Sequence, residues 1–593
     1  MNDSLDLRRM VYGLVIVAAA GMALGRILSA ELVSEPSLSR SWPDDPKHPR
    51  RAWPETAPRA MPTFSSNDRS RWATVRALVD EGTWAIGRRD RKTGKDSGIV
   101  FEDGWQSVDK MLNPKTLEFY STKPPLLTCL VAGEYWLLKK TFGWTLSGES
   151  DHRFAVVRVC LLTFNLLPFL VYLWLLSRLA DRFGATDWGR LFVVTAACFA
   201  TSVTPFLISL NNHTLATCSV VLAVYATVRI LSANRQSPLP GIEPYPAANA
   251  AGSPGEAANA AGSPGAAANA AGSPGAAANA DGSPGAAANA DGSPGAGWRW
   301  FVLAGFFAGF TAVNELPAAA FTVGLGLLLL PRFPKKTLLA FAPAALLPVA
   351  ALTATNYAEL GEIKPAYSKF GTPWYEYEGS HWKNLPDQSK RGIDWAKNRE
   401  TKGAYAFHLL VGHHGWFSLT PLYVLALAGM GLAAWRLLVK TPPHLQPLSP
   451  DAGERGENGS SPHSEGGENG SPRPPEGGER LGVRGANSAM MRLWAELAIA
   501  TAFLSSVVIG YYIYKSDNYG GWSNGPRWLM WLSPLWLLTL LPIVDRLAAR
   551  RWGRMLGLVL LALSVVSAHY TDWNPWRHPW IYNWMDERGQ VPY

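Results

Sequence analysis

Asp68 sits between Asn67 and Arg69 in the stretch SSNDRSRWATVRALVDEGTW (residues 65 to 84), and Lys123 heads a Lys-Pro-Pro in STKPPLLTCLVAGEYW (121 to 136). Further along, Asn211, Asn212 and His213 fall together, Glu315 stands in an Asn-Glu-Leu-Pro, and SDNYGGWSNGPRW (516 to 528) contains Asp517 and Arg527. A carboxylate can take a proton, and a lysine or arginine can hold an anion. No Walker A sequence, glycine-rich dinucleotide fingerprint, His-Glu-x-x-His or Gly-x-Ser-x-Gly is present, so the chemistry must come from these scattered residues. Each borders a long apolar run. Loops that converge on one face of a rigid helical scaffold are what a site at a membrane surface requires.

Those apolar runs are the elements that must position the site. The chain has 593 residues, 48% hydrophobic, with 26 tryptophans and a formal net charge of +9. A mean hydropathy of −0.01 hides the alternation of greasy and very polar segments. Apolar stretches lie near 10 to 29, 154 to 177, 189 to 208, 214 to 233, 301 to 314, 317 to 331, 337 to 354, 417 to 437, 492 to 514, 527 to 546 and 554 to 570. They predict an all-α polytopic membrane protein with about 11 transmembrane helices, the two short runs around Asn314-Pro317 forming a broken hairpin. The first run, preceded by Arg8 and Arg9, reads as an uncleaved signal anchor, because no clear small-x-small cleavage site follows. Residues 124 to 144 are apolar too, but Glu134, Lys139 and Lys140 interrupt them, which suits an interfacial helix.

Lysine and arginine concentrate in the loops at 177 to 190, 331 to 336 and 545 to 554, while 210 to 214 and 314 to 317 carry none. With a cytoplasmic N-terminus, 11 spans place every basic loop in the cytoplasm. Residues 30 to 153, 355 to 416, 515 to 526 and the tail from 571 then face outward, and the expected location is the plasma (inner) membrane. The domain reading is a transmembrane catalytic module over 1 to 437, a linker over 438 to 490 and C-terminal helices with an outer tail over 491 to 593. Residues 247 to 296 hold five copies of a decapeptide drifting from AANAAGSPGE to AANADGSPGA, inside an insert spanning 234 to 298. Residues 441 to 488 are rich in Gly, Pro, Glu and Ser. Neither composition can bury a core, so both are expected to be disordered cytoplasmic segments. The four cysteines show no CxxC spacing, so free thiols are expected.

Asp68 after the first span, followed by RWATVRALVDEGTW, STKPPLL and an arginine-led span at Arg153, resembles the first outer loop of GT-C glycosyltransferases that use polyprenyl-phosphate sugars. The protein O-mannosyltransferases (glycosyltransferase family 39) and the lipid A aminoarabinose transferases are the members it is most similar to. GGWSNGPRWLMWLSP (520 to 534) resembles a Gly-Pro-Arg segment that opens a late span in that group. The resemblance covers most of the chain in topology and about forty residues in motif. It departs at two places. Asn67-Asp68-Arg69 stands where mannosyltransferases usually carry Asp-Glu, and the second outer loop, SLNNHTLATC, lacks an acidic residue, with Asn212 or His213 in its place.

The resemblance implies a GT-C-like bundle and an outer-face, inverting transfer from a polyprenyl-phosphate donor to a lipid, glycan or protein acceptor. Asp68 would be the general base, Lys123, Arg527 and His213 would hold the donor phosphate, and Asn212, Glu315, Asp517 and Trp374 are candidate substrate contacts. The plainer reading makes Asp68 a helix cap, Lys123 a snorkelling lysine, Arg527 a membrane-end anchor and His213 a loop residue. Trp374 lies in an aromatic run, TPWYEYEGSHW, able to stack on sugar rings or to sit in an interfacial belt. The adjacent His413 and His414 read as interfacial. No cofactor is indicated; a divalent metal is compatible with such a site, but no ligand spacing points to one. A pI near 9.2 fits anionic membrane lipids and a phosphate-bearing donor and needs no nucleic-acid partner. Two other classes are weighed. A transporter or lipid-linked sugar flippase should carry ionisable groups near mid-membrane, and a non-catalytic assembly protein would tolerate alanine at Asp68 and Lys123.

Overall fold

The computed structural model describes residues 3–31, 60–102, 104–147, 151–235, 297–383, 401–438, 478–516 and 519–591. Helix α1 (Asp3–Ser29) acts as a strut between two ends of the bundle. Near its start, Arg8 Nε meets Asp181 Oδ1 at 3.0 Å, and the Tyr12 hydroxyl donates to the same oxygen at 3.0 Å. Near its finish, Arg26 Nη1 meets Asp572 Oδ1 at 3.1 Å and donates to Thr204 O at 3.3 Å. Eighteen residues of α-helix rise about 27 Å, close to the thickness of a hydrocarbon core. The two ionic ends of the strut therefore mark the two ends of the apolar bundle.

The first loop folds on itself. Helix α2 (Ser66–Arg76) opens with Ser65, whose side chain accepts the Asp68 N–H. A four-stranded antiparallel sheet follows, in the order β2-β1-β4-β3, from β1 (Gly87–Arg89), β2 (Asp96–Ser97), β3 (Lys110–Leu112) and β4 (Glu118–Ser121). This sheet corrects the all-α expectation. Strands of two to four residues are too short for a period-two alternation to show in sequence. Two residues after β4, Lys123-Pro124-Pro125 starts α3 (Pro125–Phe142), with a proline at its first position, where a missing N–H leaves no intrahelical bond unmade. Gly143 ends α3 at φ 70°, the left-handed cap that glycine adopts without strain. Leu130, Trp136, Leu137 and Phe142 on α3 are exposed, as an interfacial helix requires.

The bundle continues with α4 (His152–Phe183), α5 (Asp187–Phe199), α6 (Asn212–Arg235), α7 (Trp298–Asn314), α8 (Ala319–Leu329) and α9 (Pro334–Leu360). After α10 (Lys402–Leu410) come α11 (Tyr423–Leu438), α12 (Gly478–Lys515), α13 (Arg527–Thr539), α14 (Leu541–Ala548) and α15 (Arg551–His569). Six of these helices (α1, α4, α6, α9, α12 and α15) are long and apolar enough to cross a membrane, or seven when α13 and α14, bent by 43°, count as one span. Among the described residues the expected count of 11 is therefore not confirmed. The apolar runs are there, but several are cut by backbone breaks. Residues 189 to 208 are α-helical only to Phe199, and α11 begins only at Tyr423, after Thr420-Pro421. Helix α12 begins at Gly478, so residues 478 to 488 of the polar stretch 441 to 488 are helical; the rest of that stretch and the decapeptide copies at 247 to 296 lie outside the described residues.

Two close contacts fix the frame around the site. Asp545 of α14 accepts from Ala185 N, Thr186 N and Thr186 Oγ1 at 2.7, 2.9 and 2.6 Å, joining α14 to the α4–α5 turn at the Arg8 end. Gly305 and Gly309 of α7 lie directly against the carbonyls of Phe341 and Ala345, the close backbone approach of a Gly-x-x-x-Gly face. A Cβ on Gly309 would meet Ala345 O at 2.1 Å, and backbone cannot step aside. Gly309→Ala should cost about 1–3 kcal/mol as overpacking, read as a lower Tm in detergent. Gly324→Ala, with open space around its Cβ, should leave Tm unchanged.

Candidate functional site

Asp68 occupies the first turn of α2, where a carboxylate faces unpaired amides and the positive helix end. Its Oδ2 accepts the Phe64 N–H at 3.0 Å, so the capping reading is realised for one oxygen. The side chain is 1% exposed, and Oδ1 is buried without a hydrogen-bond partner of normal geometry. Burial pushes the carboxyl up to about 6, opposed by the Phe64 amide, by Arg69 and Arg71, and by the Leu210 amide. A buried carboxyl with a raised pKa suits proton abstraction.

Arg71 acts on it directly, and Lys123 and Arg527 are coupled to Arg71. Arg71, one turn along α2, is buried and gives Nη2 to Asn212 Oδ1 at 2.6 Å and Nη1 to Asn67 O at 3.1 Å. Burial, and then the Arg527 charge, bring its guanidinium down to about 10, while Asp109, Asp68 and Glu315 oppose that change. Lys123 Nζ meets Asp109 Oδ1 at 2.8 Å. Burial lowers the Lys123 ammonium to about 8, with Asp109 opposing and Arg71 and Arg527 adding repulsion. Asp109 is held in turn: its carbonyl accepts from Ser70 Oγ at 2.6 Å, and that hydroxyl lies 2.7 Å from Ser121 Oγ, which ties α2 to both β3 and β4.

Arg527 is the third cation. Its Nε donates to Gly520 O at 3.0 Å and Nη1 lies 3.3 Å from His213 Nε2, while Cζ stands 4.8 Å from the centre of the Trp576 ring. A guanidinium only donates, so His213 Nε2 accepts and its Nδ1 carries the proton, which faces Glu315 Oε1. In that state His213 offers no donor to a phosphate. This changes its expected part: the imidazole bridges Glu315 and Arg527. Arg527 keeps three N–H groups outside these bonds. Asn212 Nδ2 donates to Glu315 Oε1 at 2.9 Å and also to Asn314 O. The carboxylate absent from the second loop is thus present in space, delivered by the end of α7.

The structure therefore brings Asp68, Lys123, Asn212, His213, Glu315 and Arg527 into one charge network at the Arg26 end of the bundle. Trp374 falls elsewhere. Its ring lies 6.3 Å from that of Tyr120 and 4.8 Å from Lys369 Nζ, against the small sheet. Asp517 lies outside the described residues. Sequence reasoning missed Arg71, Asp109 and Trp576. The first stands one helical turn beyond Asp68, a spacing that places it on the same face and was the available signal. No sequence signal pointed to Asp109 or Trp576. Among the described residues, no group of three His, Cys, Asp or Glu side chains is placed to hold a metal ion.

The raised Asp68 carboxyl has a definite effect on stability. Its folded pKa of about 6 exceeds the ordinary aspartate value of 3.8, so the folded state binds the proton more tightly and wild type loses stability as pH rises from about 4 to about 6. Asp68→Asn lacks that slope. The Tm of the variant minus that of wild type should rise across this window and level off above pH 7.

No family model and no curated protein matches the chain. Among solved structures it is similar to the oligosaccharyltransferase of Archaeoglobus fulgidus in the apo form, at TM-score 0.40 and 11% identity over 96% of this chain and 56% of that one. The same protein in complex with Zn and sulfate gives TM-score 0.40 and 11% identity over 98% and 56%. The archaeal oligosaccharyltransferase AglB with an inhibitory peptide and a dolichol-phosphate gives 0.39 and 11% over 96% and 56%. The chain thus corresponds to 56% of the length of these proteins.

Proposed function

We propose that the chain is a membrane glycosyltransferase that moves a hexosyl or pentosyl unit from a polyprenyl-phosphate donor to a lipid, glycan or protein acceptor on the outer face of the membrane. The observation that carries this reading is the buried Asp68 carboxyl set in one network with Arg71, Lys123 and Arg527. The motif resemblance of the first loop and of the Gly-Pro-Arg segment supplies the donor class. In the step, the acceptor oxygen or nitrogen forms a bond to the anomeric carbon while the bond from that carbon to the phosphate oxygen breaks. The electron pair leaves with the phosphate, the acceptor proton passes to Asp68 Oδ1, and in-line attack inverts the sugar.

The charges favour that order of events. As the leaving phosphate gains negative charge, Asp68 loses its own by taking the proton, so the net charge of a poorly solvated pocket stays constant. The three free N–H groups of Arg527 and the ammonium of Lys123 meet the phosphate where its charge develops.

The test is transfer of radiolabelled sugar from a panel of polyprenyl-phosphate donors by purified protein. Asp68→Asn should retain donor binding and lose transfer by about 100-fold or more. Equal transfer by both proteins would remove Asp68 from the reaction. Silence of wild type across the panel would turn attention to transport of lipid-linked sugars. The rate should rise through about pH 6 as Asp68 ionises and fall above about pH 8 as Lys123 deprotonates. Lys123→Arg should abolish the alkaline fall, and Arg527→Ala should weaken donor binding more than acceptor binding.

A further inference from the structure

Beside the charge network, and unused by it, four histidines from separate stretches of chain pack into one cluster. His408 of α10 stacks on His413 with ring centres 4.0 Å apart, and His413 meets His414 edge-on at 4.9 Å. His414 reaches His578 of the tail at 5.7 Å, and His578 stacks on Tyr582 at 4.0 Å. Tyr519 fills the middle: its ring lies 4.8 Å from His413, 5.3 Å from His414 and 4.7 Å from Tyr405 of α10. His413 and His414, read from the sequence as interfacial, are both buried. His408 Nδ1, His414 Nε2 and His578 Nδ1 are shut off from water with no hydrogen-bond partner.

This packing needs neutral rings. His413 Nδ1 and His414 Nδ1 lie 2.7 Å apart, so one donates and the other must keep its lone pair. A proton on the accepting nitrogen sets two N–H groups against each other, and the bond is lost. Rings stacked at 4.0 Å would likewise bring two imidazoliums into repulsion where water screens them poorly. Among the described residues no carboxylate acts on His408, His414 or His578, and the charge that faces them is the Arg577 guanidinium beside His578. The other titratable neighbours are Tyr405, Tyr519 and Tyr582. Burial, and then His413, His578 and His408, hold the His414 imidazole well below the usual histidine range. Burial, and then Arg577, bring His578 down to about 3.

The cluster ties α10, the 412–415 turn and the tail to Tyr519, and Tyr519 precedes Gly520, whose carbonyl accepts from Arg527 Nε at 3.0 Å. We propose that His408, His413, His414 and His578 form an acid-sensitive latch: neutral rings hold α10, the Tyr519–Gly520 segment and the tail together, and protonation of the rings releases them. Opening rehydrates each ring and restores its ordinary affinity for a proton. The closed form is therefore complete above about pH 6.5 and is lost as pH falls from there toward about 3. Each ring that stays neutral when closed multiplies the open population about 30-fold at pH 5, and two such rings multiply it about 1,000-fold. The latch stands whether or not the glycosyltransferase reading holds.

The experiment is amide hydrogen exchange of the full chain in detergent at pH 7.5 and pH 5, with labelling times scaled to the intrinsic rate at each pH. Protection over 404 to 416, 519 to 527 and 573 to 583 should fall about 1,000-fold at pH 5 and return at pH 7.5, while α6 and α7 stay protected. His578→Phe keeps an aromatic ring against Tyr582 and Trp522 and removes one titrating site, so its loss should be about 30-fold smaller. His381→Gln, at a ring set edge-on against Trp382, should leave the loss unchanged. Exchange at the ring C2–H reads each wild-type histidine directly, and His414 and His578 should titrate well below the ordinary histidine range. Equal protection at the two pH values, a loss shared equally by α6 and α7, an undiminished loss in His578→Phe, or titration of both rings near the ordinary value of about 6.5 would each overturn the latch.

Discussion

Arg71 is a full positive charge withdrawn from water, and the surrounding architecture answers to it. A buried guanidinium is costly unless its donors and its field are both met, and here the partners come from distant parts of the chain: Asn67 and Asp68 in its own helix, Asp109 from the sheet, Asn212 from α6 and Glu315 from the end of α7. Arg527 presses on it from α13 and is restrained in turn by His213, Gly520 and Trp576. Removing one member leaves another uncompensated in a low dielectric, so the network specifies how the first loop docks on the bundle as well as what chemistry can follow.

The remaining elements serve that docking. Helix α1 sets the separation of the two polar ends, and Lys-Pro-Pro turns a strand into an interfacial helix within two residues while leaving the lysine pointed back at Asp109. The close approach of α7 to α9 fixes where α7 stops, and hence where Glu315 is delivered. The tail after α15 closes the arrangement: Trp576 lies beneath the Arg527 guanidinium and donates its indole N–H to Ser209 Oγ at 2.8 Å. Each is a packing device that sets the geometry of a charge.

Much of this was readable from the chain alone, and the exceptions have physical causes. Polar residues at the borders of apolar runs had to meet at one end of a helical bundle, and for Asp68, Lys123, Asn212, His213, Glu315 and Arg527 they do. Arg71 was hidden because an arginine inside an amphipathic helix gives no sign of being buried, and Asp109 because its partner lies 14 residues away across a sheet whose strands are too short to be seen. Trp374 was drawn toward the site by its aromatic neighbours, whereas those neighbours build a satellite core with Met111, Tyr120 and Tyr375. Hydropathy counts apolar residues and is blind to backbone breaks, which is why 11 runs yield fewer long apolar helices among the described residues.

Helices α6 and α7 pack along their length and are pinned together at one end by Asn212, Asn314 and Glu315. The whole insert from 236 to 296 leaves and rejoins the pair at the other end. That junction lies at the far end of the pair from the charge network, so the connection between the helices and the residues of the site occupy separate ends of the bundle. The junction between α6 and α7 is therefore a place where a reporter domain can be inserted at a distance from the charge network.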